Sequence, residues 1–245
     1  MDRKKIPDKK DIKKHKMSQN GSSNSKRNHE IKKLIQDSYK SYIGATYDGQ
    51  ISGYVIDDRF DYMIDRYEDY RYEDGNSLSG FPGLDMDDFG DDNDCTLVSI
   101  TAMSYYCHNN GYDDIPSSTT KIYNDVLDVA EDHGYTPEGG TNPTVIDNII
   151  EDVFDEWGYD INASNVYIWS FSTFTNEIDR NRPVIFNIAT GYYSNHSVSI
   201  FGYKEYDVAD FLMVKDNWST STRYIHYQEM YDDFGSVTKT NIDID

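Results

Sequence analysis

The chain has 245 residues and a mass of 28.4 kDa, which suits one full-size domain with additional segments or two small domains. Its net charge of −21 argues against nucleic acid as a partner of the main body, because phosphates would be repelled. No apolar run reaches the roughly 18 residues that a membrane span needs, and the N-terminal residues contain no apolar signal-peptide core. We therefore expect a cytoplasmic protein, or a secreted or cell-surface protein given without its leader.

The N-terminal residues differ from the rest of the chain in charge. Residues 1–33 hold 12 Lys and Arg against 4 Asp and Glu, whereas residues 34–245 hold 11 against 40. The first segment is also rich in Ser and Asn and has no apolar periodicity, which predicts a disordered basic tail. Residues 34–80 are rich in Tyr and Asp, and we expect irregular structure there with a short helix near Phe60–Tyr67.

Apolar residues at helical spacing predict four helices in the next part of the chain. Their expected ranges are Cys95–His108, Ser118–His133, Asn142–Trp157 and Ser172–Asn181. At about 1.5 Å per residue, the first helix would separate Cys95 from Cys107 by roughly 18 Å. A disulfide tolerates about 7 Å between Cα atoms, so both thiols are expected to be free.

After Pro183 the apolar period changes from that of a helix to that of a strand. The expected strands are Val184–Ile188, Ser197–Tyr203, Phe211–Asp216, Arg223–Tyr227 and Val237–Ile242. Helices first and antiparallel strands afterwards indicate an α+β fold with segregated layers, and the boundary between the layers is a natural cleft.

Three residues near this boundary carry the groups that acyl transfer needs. Cys95 begins the first helix, where unpaired backbone N–H groups and the helix dipole stabilise a thiolate. His196 heads one strand and Asp216 ends the next, so a hydrogen bond between them would fix the imidazole tautomer. Each residue alone is more often structural, but the order of nucleophile, base and orienting acid favours a thiol-dependent enzyme.

The segments around these residues resemble the active-site regions of papain-like cysteine peptidases. Cys95 follows Asp-Asn-Asp, His196 lies in NHSVSIFGY and Asp216 lies in KDNWS. The closest likeness is to the bacterial branch related to bacteriocin-leader-processing (double-glycine) peptidase domains, over about residues 90–230. It implies a papain-like fold, with an N-terminal helical layer on a C-terminal antiparallel sheet and the active site between them.

The same resemblance assigns a role to each site residue. It implies that Cys95 is the nucleophile, His196 the general base and Asp216 the residue that orients the base. Trp218 would shield the His–Asp pair from water. Asn195-His-Ser197 and Asn217-Trp-Ser219 match glycosylation sequons, and glycans there would obstruct the cleft, so a bacterial origin is favoured.

One position departs from the family's pattern. The family usually places a Gln six residues before the cysteine as a side-chain donor to the oxyanion hole, and this chain has Phe89 there. Asn93 is the nearest side-chain amide, so it is a candidate donor alongside the backbone N–H of Cys95. Losing one oxyanion donor typically lowers the rate by about 10²–10³, so the departure favours weak activity or a specialised role.

Metal binding is expected only in the acidic loop Asp85–Asp94, which is a candidate for weak Ca²⁺ binding through its carboxylates. The loop does not follow the EF-hand pattern, because Phe89 occupies the fifth ligand position. No spacing of His and Cys fits a zinc site, so no cofactor is predicted.

The sequence therefore predicts a thiol hydrolase of peptide or amide bonds, whose partner is a peptide or protein substrate. Residues 81–245 would form the catalytic domain. Residues 34–80 exceed what the fold needs before its nucleophile, so we expect a pro-segment or specificity extension across the cleft.

Three alternatives remain. A papain-fold acyltransferase or transglutaminase-like enzyme would use the same three residues but hand the acyl group to an amine. A catalytically weak pseudopeptidase would act as a binding module. The third alternative is an acidic globular domain without this chemistry, in which Cys95 is a buried structural residue.

Overall fold

The structure is a computed structural model. It describes residues 55–56, 71–90, 93–207, 209–230 and 234–244. The predicted tail, the predicted helix near Phe60–Tyr67 and most of the predicted extension lie outside the described residues. No helix within the described ranges has the length and apolar character needed to cross a membrane.

Helix α1 spans Cys95–His108, the range that the sequence predicts. The sequence suggests a single apolar face, but 12 of its 14 residues are buried. The helix is buried on all sides because it packs between helix α2 on one side and the central strand of the sheet on the other. Small polar residues fit this position, and Thr101 satisfies its hydroxyl by donating to the Leu97 carbonyl at 2.8 Å.

Three further helices follow in the chain. They are α2, Thr119–Asp132; α3, Ile146–Glu156; and α4, Phe171–Ile178. Helix α3 begins after the predicted Asn142–Pro143 start, because the Asn142 side chain accepts hydrogen bonds from the backbone and hydroxyl of Thr144 and forms a turn. Ser118 caps α2 through the N–H of Lys121.

The strands include all five that the sequence predicts, with small shifts at their ends. They are β1, Val55–Ile56; β2, Tyr72–Ser77; β3, Ala163–Val166; β4, Val184–Ile188; β5, His196–Tyr206; β6, Asp210–Lys215; β7, Arg223–His226; and β8, Gly235–Thr240. In the described part of the chain they form one eight-stranded sheet in the order β1-β7-β6-β5-β4-β8-β3, with β2 paired to β5. Every pairing in it is antiparallel.

Strand β5 organises this sheet. It has 11 residues and β4 has only 5, so β4 covers just the first half of one β5 edge. Strand β2 continues that edge by pairing with residues 202–206, and β6 covers the other edge. Gly202 is required where they meet, since a Cβ there would lie 2.8 Å from both the Met213 sulfur and the Ser77 Cβ.

The sheet therefore includes residues before 81, where the sequence places the start of the catalytic domain. The physical reason is that the second half of β5 would otherwise expose unpaired backbone groups along that edge. The architecture confirms the predicted α+β fold. A helical layer packs on an antiparallel sheet, and the first residues of α1 and β5 meet between the layers.

Candidate active site

Cys95 is the first residue of α1 and lies on the wall of a pocket. Its side chain is 7% exposed, and the backbone N–H of Ser197 donates to its sulfur at 3.4 Å. The Ser197 hydroxyl is hydrogen-bonded to Thr96 at 2.8 Å and donates to Asn187 Oδ1 at 2.8 Å. The thiol is therefore held between the start of the helix and the start of β5.

His196 is the first residue of β5 and precedes the residue that contacts the thiol. Its Nε2 lies 2.6 Å from the backbone carbonyl oxygen of Asp216. A carbonyl oxygen only accepts, so Nε2 carries the proton in this contact. The neutral ring then keeps its lone pair on Nδ1, and Nδ1 is the nitrogen able to accept a proton.

Asp216 lies immediately after β6, and its carboxylate has partners other than the imidazole. Arg223 Nε is 2.6 Å from Oδ2, the Tyr193 hydroxyl donates to Oδ2 at 3.1 Å, and the Trp218 N–H donates to Oδ1 at 3.3 Å. The structure thus joins Asp216 to His196 through the backbone carbonyl, whereas the sequence suggested a hydrogen bond through the side chain.

Two aromatic rings enclose His196. The Trp218 ring is stacked 4.4 Å from the imidazole between centroids, and the Tyr193 ring is stacked at 5.7 Å. Tyr193 is fully buried and Trp218 is half-buried. Such rings restrict both the rotation of the imidazole and its access to water.

Asn217 links the elements that carry the three candidate residues. It is buried, and its backbone adopts a left-handed conformation with φ 64°. Its side-chain N–H₂ lies within hydrogen-bond distance of the carbonyl oxygens of Cys95, at 3.0 Å, and of Ser197, at 3.2 Å. This left-handed residue directly follows Asp216, whose carbonyl contacts the histidine.

Burial shifts the pKa values of Cys95 and His196. It raises the pKa of the Cys95 thiol; the Ser197 N–H opposes this shift and the charge of Asp94 adds to it. Burial lowers the pKa of His196, although the carbonyl and the charge of Asp216 act in the opposite direction. Both shifts favour the uncharged forms, a neutral thiol and a neutral imidazole.

Burial also raises the pKa of Asp216, while the neighbouring Arg223 charge lowers it. The carboxylate is fully buried, so its charge depends on the guanidinium beside it.

The pocket encloses about 440 Å³ of empty space, including its open mouth. Its walls come from the start of α1, the loop before α3, the end of β4 and the start of β5. Asn93 lines this pocket, and its amide donates to the Pro137 carbonyl at 2.6 Å. Apart from Cys95 and His196, none of the side chains that line it is ionisable.

The predicted calcium loop is described except for residues 91–92. Asp85 caps a one-turn helix, Met86–Asp88, by accepting from the Asp87 N–H at 3.1 Å. Within the described ranges, no group of three or more His, Cys, Asp or Glu residues is placed to hold a metal ion. Calcium binding by the loop stays a prediction.

Sequence reasoning missed Ser197, Tyr193 and Arg223. A carboxylate at the end of an apolar stripe needs a cation, and Arg223 begins the next strand, so that partner had a signal in the sequence. Tyr193 had none, because the turn before β5 has no periodicity to assign its side chain.

Comparison with known proteins gives one family. A family model described as the Peptidase_C39 like family matches residues 67–239. No curated protein matches the chain. Among solved structures, the digestive procathepsin L 3 of the Tenebrio molitor larval midgut is similar over 95% of this chain and 98% of its own, with 9% identity and a TM-score of 0.44. That likeness is too weak to carry an argument.

Proposed function

Because the chain belongs to the Peptidase_C39 like family, we propose that it is a cysteine peptidase that hydrolyses peptide or amide bonds. In this proposal Cys95 is the nucleophile, His196 is the general base and Asp216 orients that base. This agrees with the resemblance to papain-like cysteine peptidases in the sequence. The substrate is a peptide or protein segment that enters the pocket beside Cys95.

One observation carries the proposal. The first residue of α1 meets the first residues of β5, so that the Ser197 N–H reaches the Cys95 sulfur at 3.4 Å while the adjacent His196 is fixed by Asp216. A nucleophile, a base and a group orienting the base are the parts that acyl transfer requires.

The proposed reaction starts from the neutral pair. His196 Nδ1 takes the proton of the Cys95 thiol, and the sulfur attacks the substrate carbonyl carbon. The imidazolium then returns the proton to the leaving amine, and a thioester remains on Cys95. Water, activated by the same nitrogen, attacks the thioester, releases the acid and regenerates the thiol.

Charge develops during these steps at two places. The backbone carbonyl of Asp216 accepts a hydrogen bond from the imidazole of His196. The ionised carboxylate of Asp216 favours the imidazolium. For the oxyanion we propose the backbone N–H of Cys95 as the main donor. Asn93 is a candidate second donor, because one N–H of its amide is held by the Pro137 carbonyl and the other is left for the oxyanion.

The test is product analysis on a pool of unrelated peptides, with and without an added amine. Hydrolysis predicts peptide products that end in a free carboxylate, and an acyltransferase would instead give amides of the added amine. A binding module would release no product from any peptide. The Cys107→Ala variant serves as the control, because it removes the other thiol of the same helix.

A further inference from the structure

Asp94 is the N-cap residue of α1 but does not cap the helix. Asp is among the preferred residues at this position because its carboxylate accepts from the N–H groups of the first turn. Here the side chain makes no capping hydrogen bond, although the residue directly precedes Cys95 and is fully buried. The Tyr123 hydroxyl on α2 instead donates to Asp94 Oδ2 at 2.9 Å.

Tyr123 is itself held in place by the residue that departs from the family's pattern. Tyr123 is 3% exposed, and the ring of Phe89 is stacked on it at 4.6 Å between centroids, with an interplanar angle of 24°. Phe89 stands where the family usually has Gln. The side chain at that position therefore supports the hydroxyl that binds Asp94.

The position of the Asp94 carboxylate matters to the nucleophile. The first N–H groups of a helix attract either a capping side chain or an external anion. A carboxylate over the first turn of α1 would occupy the N–H groups that stabilise a thiolate and an oxyanion. It would also bring a second negative charge to the sulfur.

We propose that Tyr123 is a positioning residue for Cys95, which holds the Asp94 carboxylate against α2 so that the first turn of α1 stays open to the thiolate and the oxyanion. The inference rests on the proposed role of Cys95. It assigns to Phe89 the task of fixing Tyr123, in place of donating to the oxyanion.

The charges around the thiol are consistent with this role. Asp94 directly precedes Cys95, and His196 lines the same pocket from β5, with Asp216 bonded to the imidazole and paired with Arg223. The charge of Asp94 already raises the pKa of the thiol from its present position. A closer approach would raise that pKa further.

The experiment is a double-mutant cycle on the full chain with Tyr123→Phe and Asp94→Ala. The readout is the pH dependence of Cys95 alkylation, followed by peptide mapping, because it does not depend on turnover. We expect Tyr123→Phe to raise the apparent pKa of the thiol by about one unit and to slow alkylation at neutral pH about tenfold. In the Asp94→Ala background, Tyr123→Phe should have no effect.

The matched control is Tyr112→Phe. Tyr112 also donates through its hydroxyl, to the Asp243 carbonyl at 3.3 Å, but it lies beyond the other end of α1. This variant should leave the alkylation profile of Cys95 unchanged. An equal shift from Tyr123→Phe in both Asp94 backgrounds, or no shift in either, would overturn the proposal.

A second variant keeps the test decisive if Tyr123→Phe does not fold. Phe89→Leu keeps an apolar side chain but removes the stacked ring, and we expect a smaller shift in the same direction that again vanishes with Asp94→Ala. No shift would count against the proposal. Failure of the proposed function is seen separately, because the unmodified chain would then release no product in the peptide assay, whereas the alkylation readout does not depend on turnover.

Discussion

The two ends of helix α1 carry the same chemical group in different surroundings. Cys95, at the first residue, borders a pocket and receives the Ser197 N–H, with His196 adjacent on β5. Cys107, near the last residue, is fully buried in the apolar core, and burial raises its pKa strongly. Both thiols are free, so the difference between them comes from the groups that face each sulfur.

The two ends also differ in how they are stabilised. Around Cys95 the helix is hydrogen-bonded to buried polar residues, Asn217 and Ser197. Around Cys107 the neighbours are apolar side chains of the same core. A polar site depends on every partner being present, whereas an apolar site depends mainly on volume.

The largest expected effect tests whether chemistry is confined to one end. Cys95→Ala should lower kcat/KM on a cleaved peptide at least about 10⁴-fold, because it removes the nucleophile of a group of residues that act together. Cys107→Ala, at the other end of the helix, should change it less than about threefold. Steady-state kinetics on both variants measure this. Comparable losses of kcat/KM at the two positions would contradict a difference in function between the two ends of the helix.

The next effect tests the charge pair behind His196. Asp216→Asn keeps the shape of the side chain but removes the negative charge that faces Arg223 in a buried site. We expect the free energy of unfolding to fall by about 3–5 kcal/mol, because a buried charge loses its counter-ion. Urea unfolding followed by circular dichroism measures the loss.

Glu73→Gln is the control for that substitution. Glu73 pairs with Arg71 at 3.2 Å, but the two side chains are 49% and 75% exposed. An exposed pair contributes at most about 1 kcal/mol, so this variant should unfold almost as the original chain does. Similar small losses in both variants would mean that the buried pair does not support the polar end of α1.

The smallest effect concerns the apolar end. Cys107→Ala removes a buried sulfur from a close-packed core, and we expect the free energy of unfolding to fall by about 1–2 kcal/mol from lost contacts. The same urea experiment measures it. Cys95→Ala should cost less, because that side chain borders open space. The reverse order would show that packing around Cys95 is tighter than its position at the pocket indicates.

Local patterns made much of this fold predictable. The bounds of α1, Cys95 to His108, follow from the helical spacing of apolar residues in the sequence. The strands after Pro183 follow from their alternating apolar residues. These features depend on neighbours a few residues apart, which a single sequence contains.

Features that depend on distant contacts were not predictable. Strand β2 has an exposed, polar sequence and forms through its pairing with β5, more than a hundred residues later. The carbonyl of Asp216, and not its carboxylate, contacts the histidine, and alternation along a strand does not predict that choice. The candidate site was predictable as a set of residues, while its hydrogen bonds required the three-dimensional arrangement.

The pairing of β2 with β5 also limits how the chain can be shortened. If residues 34–80 act as a removable pro-segment, a cut after residue 80 would strip β2 from the strand that begins with His196. That would leave the second half of β5 as an open edge, which is a site for intermolecular pairing and aggregation. A cut before Arg71 would keep this edge of β5 covered, and a cut that lies also upstream of Val55 would in addition keep the pairing of β1 with β7.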